Sequence, residues 1–319
     1  MKKQHINKIN SKRQYWMVLA VTSVIAIIIV IQTKCKNVSA IPTTVVWQTT
    51  SLDKVYSPKT ATNDIVGDTL ADMRKVREFL SNQIHSDTNL IRLLEREHQV
   101  SASPERLDSD LRKLRGVQLD FIGQLHESLD SSGYPIEKIQ REIARIVRTN
   151  YDVLWTEDFT GGRLVTADTC WKELAAESDE SDLPSVKAIQ IQGEQVMKDY
   201  VKRSIPLHAS FQLLFDPSSS IEVYGADYLP VKAIQQHLME YKLTPELRGS
   251  PVPYKFQDDS EQKISSALSC VRNLYILRTI ALHADRKKRN VLVLGRYHTN
   301  HMAYLMAHYG VQSTFMVPK

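Results

Sequence analysis

Two short segments of the chain share one design: an apolar strand-like run, a glycine, two further residues and a histidine. DFIGQLH ends at His126 and LVLGRYH ends at His298. In open α/β sheets, ligands bind in the crevice beyond the carboxyl ends of the strands, so a histidine just past such an end projects over the place where chemistry is done. Glycine at the strand end lets the backbone turn sharply. Glu157, near the end of a third apolar run, VLWTEDF, reaches the same edge, with Asp158 competing for that position.

Two imidazoles and one carboxylate supply three ligands to a divalent metal ion and leave coordination open for water or substrate, as in catalytic zinc or non-haem iron sites. Metal-bound water would then be the nucleophile of a hydrolase. Without a metal, the same groups do acid–base work, with His126 or His298 titrating near neutrality and Glu157 as orienter or base. Arg296 and Tyr297, inside the second motif, can contact a substrate carbonyl or carboxylate, or serve only as loop packing. His301 joins the site if HTNH forms a first helical turn, although an exposed position is the plainer expectation. His208, His237, His283 and His308 lie on or near helical stretches and are expected to be surface or packed histidines.

The elements that must position these groups are read from periodicity. Apolar residues at three- and four-residue spacing predict two helices over 68–97 and a short third over 101–115. Val117 to Ile122 reads as the first core strand, Pro135 opens a helix with Ile136, Ile139, Ile143 and Ile146 on one face, and Tyr151 to Phe159 is a second strand. Strand, helix, strand implies parallel pairing. Residues 161–182 are polar and read as a loop, followed by a helix over 185–214 that Pro206 should break. Ile221 to Tyr224 is another strand, Pro230 opens a helix, and 243–258, with Pro245, Pro251 and Pro253, reads as a loop. A long helix capped by Asp258 or Asp259, the buried strand Asn290 to Leu294, a helix ended by Gly310 and the strand Ser313 to Val317 complete the pattern. The expected fold is α/β, a parallel-rich sheet flanked by helices, with an added helical segment over 68–115 and the α/β domain over 116–319.

The N-terminus predicts where this domain works. Residues 1–14 carry Lys2, Lys3, Lys8, Lys12 and Arg13 with no acid, and the following eighteen, Tyr15 to Gln32, carry no charge. That run is near the lower limit for spanning about 30 Å of hydrocarbon, and the basic flank predicts a cytoplasmic N-terminus with the bulk exported to the periplasm or cell exterior. The alternative is secretion after cleavage near Val38-Ser39-Ala40. Residues 33–67, rich in Thr, Ser, Val and Pro, read as a linker. The net charge of +5 is accounted for by the basic tail, so nucleic acid is excluded as the expected partner. Cys170 and Cys270 either pair in an oxidising compartment or remain separate buried thiols, since spacing does not establish disulfide geometry.

The order GQLH, VLWTEDF, YGAD, a helix containing Arg272-Asn273, and VLVLGRYH resembles the Tiki/TraB superfamily, which includes ChaN-like haem-binding proteins and is similar in fold to erythromycin-esterase-like proteins. The resemblance spans roughly Val117 to Pro318. It implies a divalent-metal-dependent peptidase at a membrane, with His126, Glu157 and His298 as metal-binding and catalytic residues. Asp227, in the GAD turn, resembles a further strand-end acid of the superfamily. Arg272-Asn273 resembles the arginine motif of TraB relatives, with Val271 where an acid is typical, and Arg272 and Asp227 are candidates for substrate contact or for a simple ion pair with each other. The ChaN-like branch implies haem or iron instead, bound through a His or through Tyr297. A third reading is a non-catalytic scaffold whose N-terminal helices bind a partner, and a fourth is a metal-free hydrolase of the erythromycin-esterase kind.

Overall fold

The computed structural model of the protein describes residues 47–51, 64–83, 87–124, 136–181, 194–243 and 258–318. His126, the apolar run 15–32, the small-residue pattern at 38–40 and the proline-rich stretch 244–257 lie outside them. No helix among the described residues is long and apolar enough to cross a membrane.

In chain order the strands are β1 (Trp47–Ser51), β2 (Leu119–Gln124), β3 (Val153–Thr160), β4 (Leu164–Val165), β5 (Glu222–Asp227), β6 (Asn290–Gly295) and β7 (Thr314–Pro318). They form one sheet in the order β1-β7-β2-β6-β3-β5-β4. The five central strands run parallel, and β1 and β4 pair antiparallel at the two edges. Parallel strands covered on both faces read as unbroken apolar runs, and every residue of β6 is buried. Alternation along β6 sorts its side chains into two cores: Leu292 and Leu294 on one face, Val291 and Val293 on the other.

Ten helices of the described residues make the outer layers: α1 (Ile65–Gln83), α2 (Thr88–Val100), α3 (Pro104–Leu111), α4 (Ile136–Asn150), α5 (Cys170–Ser181), α6 (Glu194–Ser204), α7 (Ala209–Leu214), α8 (Leu229–Leu243), α9 (Asp258–His283) and α10 (Thr299–His308). Helices α1, α2, α3, α8, α9 and α10 bury one face of the sheet, while α4, α6 and α7 cover the other. Local chemistry sets their ends. Asp87 accepts from Leu90 N at 3.0 Å to cap α2, and Ser103 caps α3 just before Pro104. Gly310, at φ 67°, closes α10 in the left-handed conformation expected of a C-terminal glycine. Pro206 interrupts the run between α6 and α7, where Ile205–Leu207 tighten into a 3-10 turn.

Two segments differ from the expectation. Within 161–182, expected to be loop, the chain forms β4 and α5, because Val165 and Cys170 are buried and Trp171 and Leu174 pack on the same core. The pairing of β4 with β5 has no local signature, since strand formation depends on its partner. Residues 47–51, inside the expected linker, pair with β7 as an edge strand. The helices of 65–115, expected from periodicity, pack on the sheet: Met73, Leu80, Leu90, Leu107 and Leu111 belong to one core with Phe121, Leu274 and Leu292. Cys170 and Cys270 are free thiols.

Candidate functional site

Strands β2, β6, β3 and β5 end side by side, so the last residues of four strands meet at one carboxyl edge. Glu157, two residues beyond Trp155 on β3, points to the α9 face of that edge and is 7% exposed. Its Oε1 accepts from Gln124 Nε2 at the end of β2 (2.9 Å) and from Gly295 N at the end of β6 (2.8 Å). Its Oε2 accepts from Arg272 Nη2 of α9 at 3.0 Å. Arg272 also grips Asp227 at the end of β5 with two bonds of 2.6 Å, a bidentate fork. Lys232 Nζ on α8 lies 3.4 Å from Asp227 Oδ2 and donates to the Glu157 carbonyl at 3.1 Å. Two carboxylates thus face two cations. Burial opposes the charge on Arg272, yet Asp227 and then Glu157 hold its pKa above the ordinary value.

The next residue of α9 serves the second histidine motif. Asn273, 1% exposed, places Oδ1 2.7 Å from His298 Nδ1 and Nδ2 3.1 Å from His301 Nδ1. An amide oxygen only accepts and an amide nitrogen only donates, so His298 carries its proton on Nδ1 and His301 on Nε2. His298 Nε2 is therefore the basic nitrogen. His301 is partly buried rather than exposed; burial, and then the neighbouring His298, push its pKa down to about 4, so it is neutral at pH 7.

Asp158 does not compete with Glu157, because successive strand residues point to opposite faces. On the α7 face its Oδ1 lies 2.8 Å from His208 Nδ1, and its Oδ2 accepts from Thr156 Oγ1 at 2.8 Å and from Ser210 Oγ. Burial works against this carboxylate, but the His208 charge and the bonds from His208 and Ser210 bring its pKa down to about 2. The two faces are joined by glutamines. Gln124 Oε1 accepts from Gln140 Nε2 at 3.1 Å, and Gln140 Oε1 accepts from the Ala209 N–H beside His208 at 2.9 Å.

At the rim, Tyr297 is 73% exposed, with the Arg296 guanidinium 5.5 Å from its ring. Neither touches the ion network. Neither motif glycine is there for a left-handed turn: Gly295 has φ −49°, and Gly123 is not among the positive-φ glycines. A Cβ on Gly123 would come within 2.7 Å of Val317 Cγ1 and 3.3 Å of the Arg296 backbone, so this glycine allows β2 to approach its neighbours closely. His237 is packed against Asp87 at 2.8 Å and does not reach this edge network.

As a two-His, one-Glu metal centre the arrangement fits in part. His298 has the tautomer of a metal ligand, with its other nitrogen held by a carbonyl oxygen. Glu157 does not fit: Oε1 already accepts two N–H bonds, and Oε2 faces a guanidinium at 3.0 Å that repels a divalent cation. Among the described residues, no three His, Cys, Asp or Glu side chains converge as a ligand cluster. Sequence reading passed over Gln140, Lys232 and the bond from Asp158 to His208. Only Gln140 left a signal, as a polar residue beside Ile139 and Ile143 on the buried face of α4. Compared with known proteins, the chain matches no family model, no curated protein and no solved structure.

Proposed function

We propose that the chain is a hydrolase of ester or amide carbonyls, working at this sheet edge with its domain held outside the cytoplasmic membrane by the charge-free segment 15–32. The observation that carries the reading is the consecutive pair Arg272-Asn273. One turn of α9 holds the buried Glu157–Asp227 charges with one side chain and fixes the tautomer of His298 with the next. Buried charges are expensive to desolvate, and polar networks of this kind cluster where strand ends carry function. His298 Nε2 is the base that takes a proton from attacking water, and His126, which follows the last residue of β2 by two positions in the sequence, is its proposed companion. Glu157 is a positioning residue: it ties the ends of β2 and β6 together and so sets the spacing of the two histidine motifs. Arg272 and Asp227 hold it there rather than contacting substrate, while partly exposed Arg296 and exposed Tyr297 are the proposed substrate contacts.

The test uses the full chain in detergent micelles with N-acetyl-alanine esters and a short alanine peptide, with and without chelator. Hydrolysis that survives chelation and falls about 10²–10⁴-fold in His298→Ala, the span of general-base catalysis, is the expected result. Activity that requires a chelatable ion would restore the metal-ligand reading, and a Soret band would move the assignment to haem binding. A wild-type chain that hydrolyses neither substrate overturns the proposal and leaves the scaffold reading.

A further inference from the structure

Three features stand outside the network just described. A groove of about 840 Å³ between α1 and α9 is lined by Val76, Phe79, Ile264 and Cys270, but nothing shows what would fill it. The Asp158–His208 pair lies on the opposite face of the sheet from His298 and holds the start of α7. The third is edge strand β1, which fixes where the chain coming from the N-terminal apolar run enters the fold.

Strand β1 runs antiparallel to β7, with Trp47 opposite Pro318 and Ser51 opposite Thr314. Strand β7 runs parallel to β2, with Ile122 opposite Met316. Two residues further along that register, Pro318 stands level with Gln124, and Gln124 is paired with Gly295 of β6. The backbone of Trp47 therefore lies at the carboxyl edge, level with the two residues that bond to Glu157. In the order β1-β7-β2-β6, three strand spacings, about 14 Å, separate it from the end of β6.

Only fourteen residues, 33–46, join the charge-free run 15–32 to Trp47. Fully extended, a chain of that length reaches about 50 Å at most, and as a flexible coil it averages about 20 Å end to end. To set the amino edge of the sheet on a bilayer, the chain would first have to pass the depth of the sheet, about 20 Å for strands like β2 and β6. To set the carboxyl edge there, it passes nothing.

We propose that the carboxyl edge docks on the bilayer surface, with Tyr297 and Arg296 in the phospholipid headgroup layer, so that the candidate site opens toward the membrane. This rests on the anchor in the proposed function and not on its hydrolytic chemistry. Tyr297 follows β6 by two positions, is 73% exposed and has the Arg296 guanidinium 5.5 Å from its ring. A tyrosine ring suits a boundary where one end meets apolar matter and the hydroxyl meets water, and an arginine beside it answers anionic headgroups. The rival surface is the basic run Arg286 to Arg289 at the amino edge. There Lys288 pairs with Glu222 at 2.5 Å and Arg289 with Asp152 at 3.2 Å, so half of the run is answered within the protein. A substrate that meets Arg296 and Tyr297 then comes from the membrane surface rather than from bulk solvent.

Quenching by a headgroup nitroxide reads this orientation directly. The full chain, with Cys35→Ser and Cys270→Ser, is reconstituted in vesicles of phosphatidylcholine and phosphatidylglycerol that contain a headgroup nitroxide lipid. A nitrobenzoxadiazole label is placed at Asn300→Cys beside the carboxyl edge or at Lys287→Cys on the amino edge, both exposed positions. The Asn300 label should be quenched several-fold more than the Lys287 label, and adding Arg296→Ala with Tyr297→Ala should narrow the difference. Equal quenching of the two labels, stronger quenching at Lys287, or an Asn300 signal indifferent to the alanine pair overturns the docking. A chain that alkaline carbonate strips from the vesicles overturns the anchor and the docking together. Strong quenching at Asn300 in a chain that hydrolyses no ester keeps the docking while the hydrolase reading falls.

Discussion

Residue chemistry at the sheet edge turns on what each side chain is bonded to rather than on its type. Glu157 and Asp158 are neighbours, yet one answers to a guanidinium and the other to an imidazole and two hydroxyls. His298 and His301 share one amide and are held in opposite tautomers by its two ends. His301 makes this measurable. Its folded pKa, about 4, lies below its ordinary 6.5, so between those values the unfolded chain binds more protons. Stability from this group is complete above pH 6.5 and is lost as pH falls toward 4, to the extent of about 3 kcal/mol. Urea midpoints at pH 7.5 and 4.5 should fall apart in wild type and draw together in His301→Gln. An equal spread in both would assign the acid sensitivity to another group.

Elements place these residues through close approach. The end of β3 shifts register against β5 between Thr156 and Thr160, and Gly225 is what allows it. A Cβ there would stand 2.6 Å from the backbone of Phe159 and Thr160, closer than any side chain can relax. Gly225→Ala should cost roughly 1–3 kcal/mol by overpacking and pull Asp227 away from Arg272. Gly116, at φ 80° with nothing within 4 Å, is the comparison, since alanine there meets only left-handed strain of about 1–2 kcal/mol. Thermal melts record both, and hydrolysis of the N-acetyl-alanine esters separates them: Gly225→Ala should lose activity beyond its lost stability, Gly116→Ala should not. Helix α9 is the element on which the site depends most, because Arg272 and Asn273 sit together on it between two buried stretches that fix its rotation.

At the scale of the whole molecule, helices α1 to α3 share one core with the sheet, which predicts that they fold with it as a unit. Asp87 caps α2 and holds buried His237 of α8, and the Tyr275 hydroxyl of α9 accepts the Ala102 N–H at 2.8 Å ahead of α3. Asp87→Ala should cost about 2–4 kcal/mol, a lost cap plus a lost buried hydrogen bond. Limited proteolysis of that variant should degrade the chain as a unit; a stable fragment beginning near residue 116 would show two separable parts. The α/β class, the long strands, the break at Pro206 and the stop at Gly310 were legible in the sequence because period, proline and glycine act over a few residues. Arg272 and Asp227 were legible as an ion pair, since their charges admit few other partners in a core. The edge strands β1 and β4, the tying of Glu157 to Gly295 and the pairing of Asp158 with His208 were not. Each joins residues far apart in the chain, and hydrogen bonds across such separations leave no mark on local periodicity. Sequence alone determined which residues carry reactive groups at strand ends; only the tertiary structure decided which face each points to and which charge it meets, because both follow from how the strands align.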